Sequence, residues 1–366
     1  MKRAAGSDAV PGEGSRGSRA APLRAAVVGL GMMGRNHVRV YDEVLTDVEL
    51  VAVADPDTEA LRRATTGRAA HGYSDPANMF AEESLDLVSI VAPTSLHRDV
   101  TLAALAAGAN VLVEKPIASD RLDAERMIEA AAQAGRILTV GHIERFNPAV
   151  RELRRRLLAG ELGRIFQVKA TRLGPFPARI RDVGVVLDLA PHDLDVMRFL
   201  LDSDPIRIYA ETEQRIHTDH EDLFNGIIKF ANGVIGILDI NWLTPNKRRT
   251  LTVTGERGMY VADYIKQDLI HYANPEAELI WENRGADDTE PPITSVTEGE
   301  MTRRFVRRRE PLAVELAEFA SAVRNGGPPP VDPRDAMVAL LLAQKMVEAA
   351  TRGEVIAGPA LAEALA

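Results

Sequence analysis

Apolar positions change their period once along the chain. Up to about residue 142, short apolar runs alternate with stretches of helical spacing. The runs 25–28, 50–54, 85–91, 111–113 and 137–140 read as buried strands. Between them Val38, Tyr41 and Leu45 recur at helical intervals, and 58–66 and 75–83 read as short helices. Leu96, Val100, Ala103 and Ala107 line a further helix that stops at Gly108, and 120–134 is helical up to Gly135. Strands and helices alternating in this way predict a parallel, doubly wound sheet.

Beyond about residue 145 a period of two takes over. Segment 165–173 alternates, with Phe166, Val168 and Ala170 on one face. Segments 223–230 and 234–242 flank Ala231-Asn232-Gly233, and 249–254 and 259–266 flank Gly255-Glu256-Arg257-Gly258; both read as hairpins. In 234–242 one face carries Val234, Leu238, Ile240 and Trp242, the other Ile235 and Ile237 beside Asp239 and Asn241. A helix continues through 152–158 and closes at Gly160. Residues 283–309 are polar, a loop or a weak edge strand, and 312–323 and 333–350 are helices around a Gly-Gly-Pro-Pro-Pro break. The second half is therefore α+β with a mostly antiparallel open sheet.

Length and composition narrow the classes. The 366 residues exceed one ordinary core. The expected division is a disordered tail over 1–22, a first domain over 23–145 and an α+β domain over 146–366, for substrate and oligomerisation. A net charge of −9 argues against nucleic acid as the main partner. The absence of cysteine removes disulfides, thiolate metal sites and cysteine nucleophiles. No run reaches the roughly 18 apolar residues of a membrane span, and the tail has no signal-peptide core. A cytoplasmic protein without membrane contact is expected.

The chemistry begins at the first strand. It ends in Gly29-Leu30-Gly31-Met32-Met33-Gly34 and a helix follows: strand, glycine turn, helix. Gly29 permits the tight bend, Gly31 lets the backbone approach a pyrophosphate, and Gly34 lets helix pack on strand. Asp55 ends the next apolar run, where a carboxylate accepts hydrogen bonds from an adenosine ribose and repels a 2′-phosphate. This is the pattern of a Rossmann domain, with NAD preferred over NADP; Arg62 and Arg63 nearby are the only contrary sign. Ligands of open parallel sheets bind beyond the carboxyl ends of the strands. Those ends carry Pro93-Thr94 with His97 behind them, Glu114-Lys115 and Gly141-His142. Met32, Met33, Pro93, Thr94, His97, Glu114 and Lys115 join the glycines and Asp55 as expected cofactor contacts, and Lys115 is the best placed to meet a reacting group.

In the second half Asp188 and His192 are four residues apart, so a helix stacks them on one face. Pro191 between them is tolerated in a first helical turn, which would make Asp188 an N-cap with His192 just inside. Either arrangement lets the carboxylate orient the imidazole and raise its pKa. Oxidation of a secondary alcohol needs a base for the hydroxyl proton. His192 is assigned that role, with Asp188 in support and Lys115 as polarising donor or proton relay; the reverse assignment of Lys115 and His192 remains open. The scattered histidines offer no metal-ligand pair.

Gly-Leu-Gly-x-Met-Gly-Arg-Asn-His, Glu114-Lys115-Pro116 and Gly184-x-x-x-Asp188-x-x-x-His192 together resemble the glucose–fructose oxidoreductase / inositol dehydrogenase (Gfo/Idh/MocA) family. The resemblance implies a Rossmann domain followed by an α+β domain whose open sheet forms subunit contacts, giving a homo-oligomer, dimer or tetramer. It also implies that Lys115 and His192 face the substrate. Gly141-His142-Ile143-Glu144-Arg145-Phe146-Asn147-Pro148, with Asp182-x-Gly184-Val185-x-x-Asp188-Leu189-x-x-His192-Asp193, is similar to the UDP-N-acetylglucosamine 3-dehydrogenase branch. That likeness implies oxidation of a UDP-sugar 3-hydroxyl, with a partner aminotransferase acting on the ketone. Glu144, Arg145 and Asn147 then line the pocket between the domains, or else make structural hydrogen bonds at a hinge. An inositol or free-sugar dehydrogenase is the alternative activity. A non-catalytic dinucleotide sensor is the alternative class, and such a sensor has no chemical need of Lys115, Asp188 and His192.

Overall fold

The computed structural model describes residues 21–177, 183–216, 219–274 and 299–365. Most of the expected tail and Asp182 lie outside the described residues, as does 283–298 of the polar segment.

The first sheet runs β3-β2-β1-β4-β5-β6, all parallel, from β1 (Leu23–Val28), β2 (Val48–Ala54), β3 (His71–Tyr73), β4 (Leu87–Ile90), β5 (Asn110–Glu114) and β6 (Leu138–Gly141). Its central strands are apolar over most of their length because helices cover both faces, while the edge strand β3 is His-Gly-Tyr and largely exposed. These are α1 (Met32–Arg39), α2 (Thr58–Thr65), α3 (Pro76–Glu82), α4 (Thr94–Ala106) and α5 (Arg121–Ala134). Asp57, Asp75 and Asp120 start α2, α3 and α5 by accepting from their first free N–H groups. Chain direction across the sheet reverses between β1 and β4, which opens a crevice at the carboxyl ends of those strands.

After α6 (Pro148–Leu158) the chain builds a nine-stranded sheet in the order β14-β13-β12-β11-β7-β10-β9-β8-β15. Its strands are β7 (Ile165–Leu173), β8 (Pro205–Glu213), β9 (Leu223–Phe230), β10 (Ile235–Asn241), β11 (Arg248–Gly255), β12 (Gly258–Asp263), β13 (Asp268–Ala273), β14 (Met301–Arg304) and β15 (Ile356–Ala357). Every pairing is antiparallel except β7 with β10. Both hairpins stand where the turn residues put them. In β8 the register slips between Pro205 and Arg207, and from Arg207 onward the strand alternates with Ile208 and Ala210 buried.

One face of this sheet is covered by α7 (Val185–Leu201). Leu194, Met197 and Leu200 of α7 pack in one cluster with Val168, Ala170, Leu238 and Ile240. Two later helices tie the halves together. Helix Pro311–Asn325 sends Leu312, Leu316 and Phe319 into the first domain's core, against Tyr41, Leu50 and Leu112. Helix Pro333–Arg352 gives Met337, Leu340 and Leu341 to the first core and Leu342, Ala343 and Met346 to the second. Each buried Leu, Met or Phe of this kind is worth about 1.5–3 kcal/mol. The two sheets thus hold a fixed relation, and α7 faces the carboxyl end of β5. Among the described residues no helix is long and apolar enough to cross a membrane.

Candidate active site

The glycine turn has the shape its sequence implies. Gly29 has φ +91°, and a Cβ there would lie 2.6 Å from the Val91 carbonyl oxygen. A Cβ on Gly34 would lie 1.9 Å from the Gly29 carbonyl oxygen, so only glycine lets α1 sit this close to β1. A Cβ on Gly31 meets nothing within 4 Å, so that side of the turn is open. Gly31 is also the N-cap of α1 and offers its first N–H groups no side-chain acceptor. Free amides, a positive helix end and an open approach fit a pyrophosphate. Asp55 closes the turn from β2: its Oδ2 accepts from the Leu30 N–H at 2.6 Å and its Oδ1 from the Asp57 N–H at 2.8 Å. Each oxygen keeps acceptor capacity for a further donor. Arg62 is held at 3.0 Å by Glu59 on its own helix, which leaves Asp55 the dominant charge there. Met32 is exposed and Met33 partly so at the turn. Pro93 and Thr94 stand at the end of β4, Pro93 exposed and Thr94 half-buried.

His97 does not join them. It is buried at 1% exposure, with Nδ1 at 2.9 Å from the Pro116 carbonyl and Nε2 at 2.9 Å from the Ala92 carbonyl. It braces the ends of β4 and β5 and presents no ring nitrogen to a cofactor. Glu114 is also spoken for. Its Oε1 faces His37 Nε2 at 3.1 Å and its Oε2 accepts from the Lys115 N–H at 3.2 Å. Burial pushes its pKa up, but the His37 contact and the charges of His37 and Lys115 together hold it below the usual value. Gly141 makes room for this carboxylate, since a Cβ there would lie 2.9 Å from it.

From the end of β5, Lys115 reaches across to α7. Its Nζ donates to the Asp188 carbonyl at 2.8 Å and to Asp188 Oδ1 at 3.0 Å. Two expectations change here. The helix begins at Val185 with Gly184 as N-cap, so Asp188 is not the cap and Pro191 lies inside the helix. Proline has no N–H for the Leu187 carbonyl and crowds that turn, one residue before the carbonyl that Lys115 takes. Second, the Asp188 carboxylate serves Lys115, not His192. The His192 Nδ1 is buried without a hydrogen-bond partner among the described residues. Burial, then the charges of Lys115 and Arg172, push the imidazole well below its ordinary pKa rather than above it. His192 is held neutral.

The 144–147 segment turns out mostly structural. Arg145 is clamped by Asp195 at 2.7 and 2.6 Å and by Asp335 at 3.2 Å, so its guanidinium is unavailable to a ligand. Asn147 caps α6 through the Ala149 N–H at 3.1 Å and donates to the Tyr264 carbonyl at 3.1 Å. Glu144 alone points to the site, where its Oε1 accepts from Arg172 at 3.1 Å. The Arg172 guanidinium is also gripped by Asp193 at 2.6 and 3.0 Å.

Arg172, with Lys247, Arg249, Asp188, Leu189 and Trp242, lines a cavity of about 200 Å³ beside the Lys115 contact. No motif flags Arg172 or Arg249. A period-two count does, because it places Arg172 on the inner face with Val168 and Ala170, and Arg249 with Leu251 and Val253.

Comparison with known proteins matches both halves of the chain. The model of the "Oxidoreductase family, NAD-binding Rossmann fold" matches residues 23–142, and that of the "GFO/IDH/MocA C-terminal domain" matches 150–261. A UDP-N-acetylglucosamine 3-dehydrogenase of Acidithiobacillus ferrooxidans is 29% identical over 82% of this chain and 88% of its own. A myo-inositol 2-dehydrogenase of Thermotoga maritima is 24% identical over 87% and 94%. A solved structure of the Acidithiobacillus ferrooxidans enzyme superposes with a TM-score of 0.77 at 27% identity, covering 89% of this chain and 97% of that one.

Proposed function

This chain belongs to the GFO/IDH/MocA oxidoreductase family, and on that premise we propose that it oxidises the 3-hydroxyl of UDP-N-acetylglucosamine, or of a related UDP-sugar, to a ketone. The family carries the coarser statement, an NAD-dependent dehydrogenase acting on a CH–OH group. NAD, when bound along the glycine turn, supplies the hydride acceptor.

The observation that carries the reading is the bridge from Lys115 to Asp188 at the mouth of the crevice. An ammonium has three donors. Two are used on Asp188, and the third is left for the oxygen of the reacting hydroxyl. His192 stands one helical turn beyond Asp188 and is neutral, so its imidazole can accept the hydroxyl proton. Lys115 stabilises the oxygen as its proton leaves, and the cations around His192 push that proton on toward solvent. The sugar nucleotide rests on the similarity to the Acidithiobacillus enzyme across both domains. A ketone product suits a subsequent amine-transferring step. The outer face of the second sheet exposes Ile227 at 53% and Ile235 at 39%, which supports self-association through that face; a monomeric mass in light scattering at micromolar concentration would contradict it.

The test is NADH absorbance with a panel of UDP-sugars and inositols. UDP-N-acetylglucosamine is expected to give the highest kcat/KM. Turnover of inositols alone would move the reading to a polyol dehydrogenase, and no turnover of either would refute it.

A further inference from the structure

Strands β7 and β11 pair in a register that sets Arg172 directly opposite Arg249. Like charges facing each other across strands are destabilising. Arg172 is compensated: Asp193 takes it in a two-point contact and Glu144 takes its remaining edge. Arg249 is not. Its one ion pair among the described residues is to the Glu144 oxygen that Arg172 already holds, at 3.9 Å. Lys247, two residues earlier, is exposed at the rim and has no ion pair among the described residues. The crowding is visible in both groups: burial and Arg172 push Arg249 below its usual range, and Arg249 does the same to Lys247.

Among the described residues the carboxylates nearby are largely committed elsewhere. Asp188 Oδ1 is taken by Lys115, Asp193 by Arg172, and Trp242 and Leu189 form apolar wall. Two cations without a full counter-charge therefore look into a cavity of about 200 Å³ that also contains Asp188, the residue that positions Lys115. Such an arrangement costs the folded chain stability and is relieved by an anion.

We propose that Arg249, with Lys247 at the rim, is a subsite for an oxyanion of the substrate, either a sugar-nucleotide diphosphate or a sugar carboxylate. This rests on the dehydrogenase reading only for the location of the reacting hydroxyl. The anion anchors the substrate on the sheet while the sugar reaches Lys115, and Trp242 packs against its apolar surface. Arg172 is the fixed partner that keeps Glu144 from neutralising Arg249.

The test uses the full chain loaded with NAD, with uridine diphosphate and glucuronate as calorimetric probes and myo-inositol as neutral control. At least one anion should bind, more weakly as salt rises, and Arg249→Gln should weaken it roughly tenfold or more, the scale of a lost charged hydrogen bond. Lys247→Gln should weaken it less. Whichever probe responds identifies the anion. Arg249→Gln should not lower Tm, because it removes a like-charge pair; a lower Tm with unchanged anion binding would make Arg249 structural and overturn the proposal. So would binding of both anions unchanged in both variants. The two readings fail separately. Arg249-dependent binding of uridine diphosphate without oxidation of any UDP-sugar sinks the proposed function and leaves the subsite. Oxidation of UDP-N-acetylglucosamine with unchanged KM in Arg249→Gln sinks the subsite and leaves the function.

Discussion

Gly34→Ala and Gly31→Ala separate fold from cofactor at one turn. The methyl that Gly34→Ala adds would lie 1.9 Å from the Gly29 carbonyl oxygen, well inside any carbon–oxygen contact. The obstructing atom is backbone, and Gly29 cannot retreat, since its own Cβ position is 2.6 Å from the Val91 carbonyl. Helix α1 must therefore shift by more than about an ångström, an overpacking change that typically costs about 1–3 kcal/mol. For a domain of 150–250 residues each kcal/mol is worth roughly 2–4 °C in Tm, so Gly34→Ala should lower Tm by several degrees with no cofactor present. NAD binding should be lost with it, because the amides of the turn move. Gly31→Ala has an open side and a φ of −60° that alanine adopts freely. Its Tm should be unchanged, while NAD affinity falls by roughly tenfold or more because the methyl occupies the pyrophosphate approach. Calorimetric scans without cofactor and titration with NAD measure the two effects. An unchanged Tm for Gly34→Ala, or NAD affinity for Gly31→Ala equal to that of the unaltered chain, would refute the reasoning.

Lys115→Ala and His192→Ala should each lower kcat by roughly 10²-fold or more with NAD affinity little changed; near wild-type turnover in both would remove them from the chemistry. Asp188→Asn should lose less than Lys115→Ala, since the amide oxygen and the backbone carbonyl still hold the ammonium. Asp55→Ala should narrow the preference for NAD over NADP and weaken NAD itself by freeing the Leu30 N–H; tighter binding of NADP than NAD by the unaltered chain would contradict the assignment of Asp55. Stability should fall on acidification below about 6.5. Burial pushes the pKa values of His97, His142 and His192 below 6.5, so at these three sites the unfolded chain binds protons in that window that the folded chain does not. Each contributes a slope of about 1.4 kcal/mol per pH unit, lost as pH falls toward the folded values. Denaturant unfolding at pH 7 and 5.5 should show the loss, and equal stability at both would refute it.

Five of the six parallel strands were legible because each is an apolar run followed by a residue of special chemistry, and the glycine spacing places the turn; the edge strand β3, His-Gly-Tyr, carries no such run. The Lys115, Asp188 and His192 constellation was legible as residues but not as contacts. A spacing of four puts Asp188 and His192 on one face, yet the helix starts earlier than Pro191 suggests and Lys115 arrives from the other domain to take the carboxylate. Residue spacing carries no information about a partner that is 73 positions away. Spacing alone left two roles open to Arg145 and Asn147, pocket lining or structural hydrogen bonds, for the converse reason. Their pairing with Asp195 and the Tyr264 carbonyl depends on where α7 and β12 pack. Arg249 was hidden by the alignment of two strands, which local periodicity does not determine.

The most direct measurement of the central claim follows one atom. UDP-N-acetylglucosamine carrying deuterium at C3 is incubated with the NAD-loaded chain and with its Lys115→Ala variant, and the reduced nicotinamide is examined by NMR. Deuterium is expected at C4 of the nicotinamide, with a 3-ketone product and single-turnover transfer slowed roughly 10²-fold in the variant. Reduced cofactor without deuterium, or transfer at the same rate in Lys115→Ala, would contradict the claim.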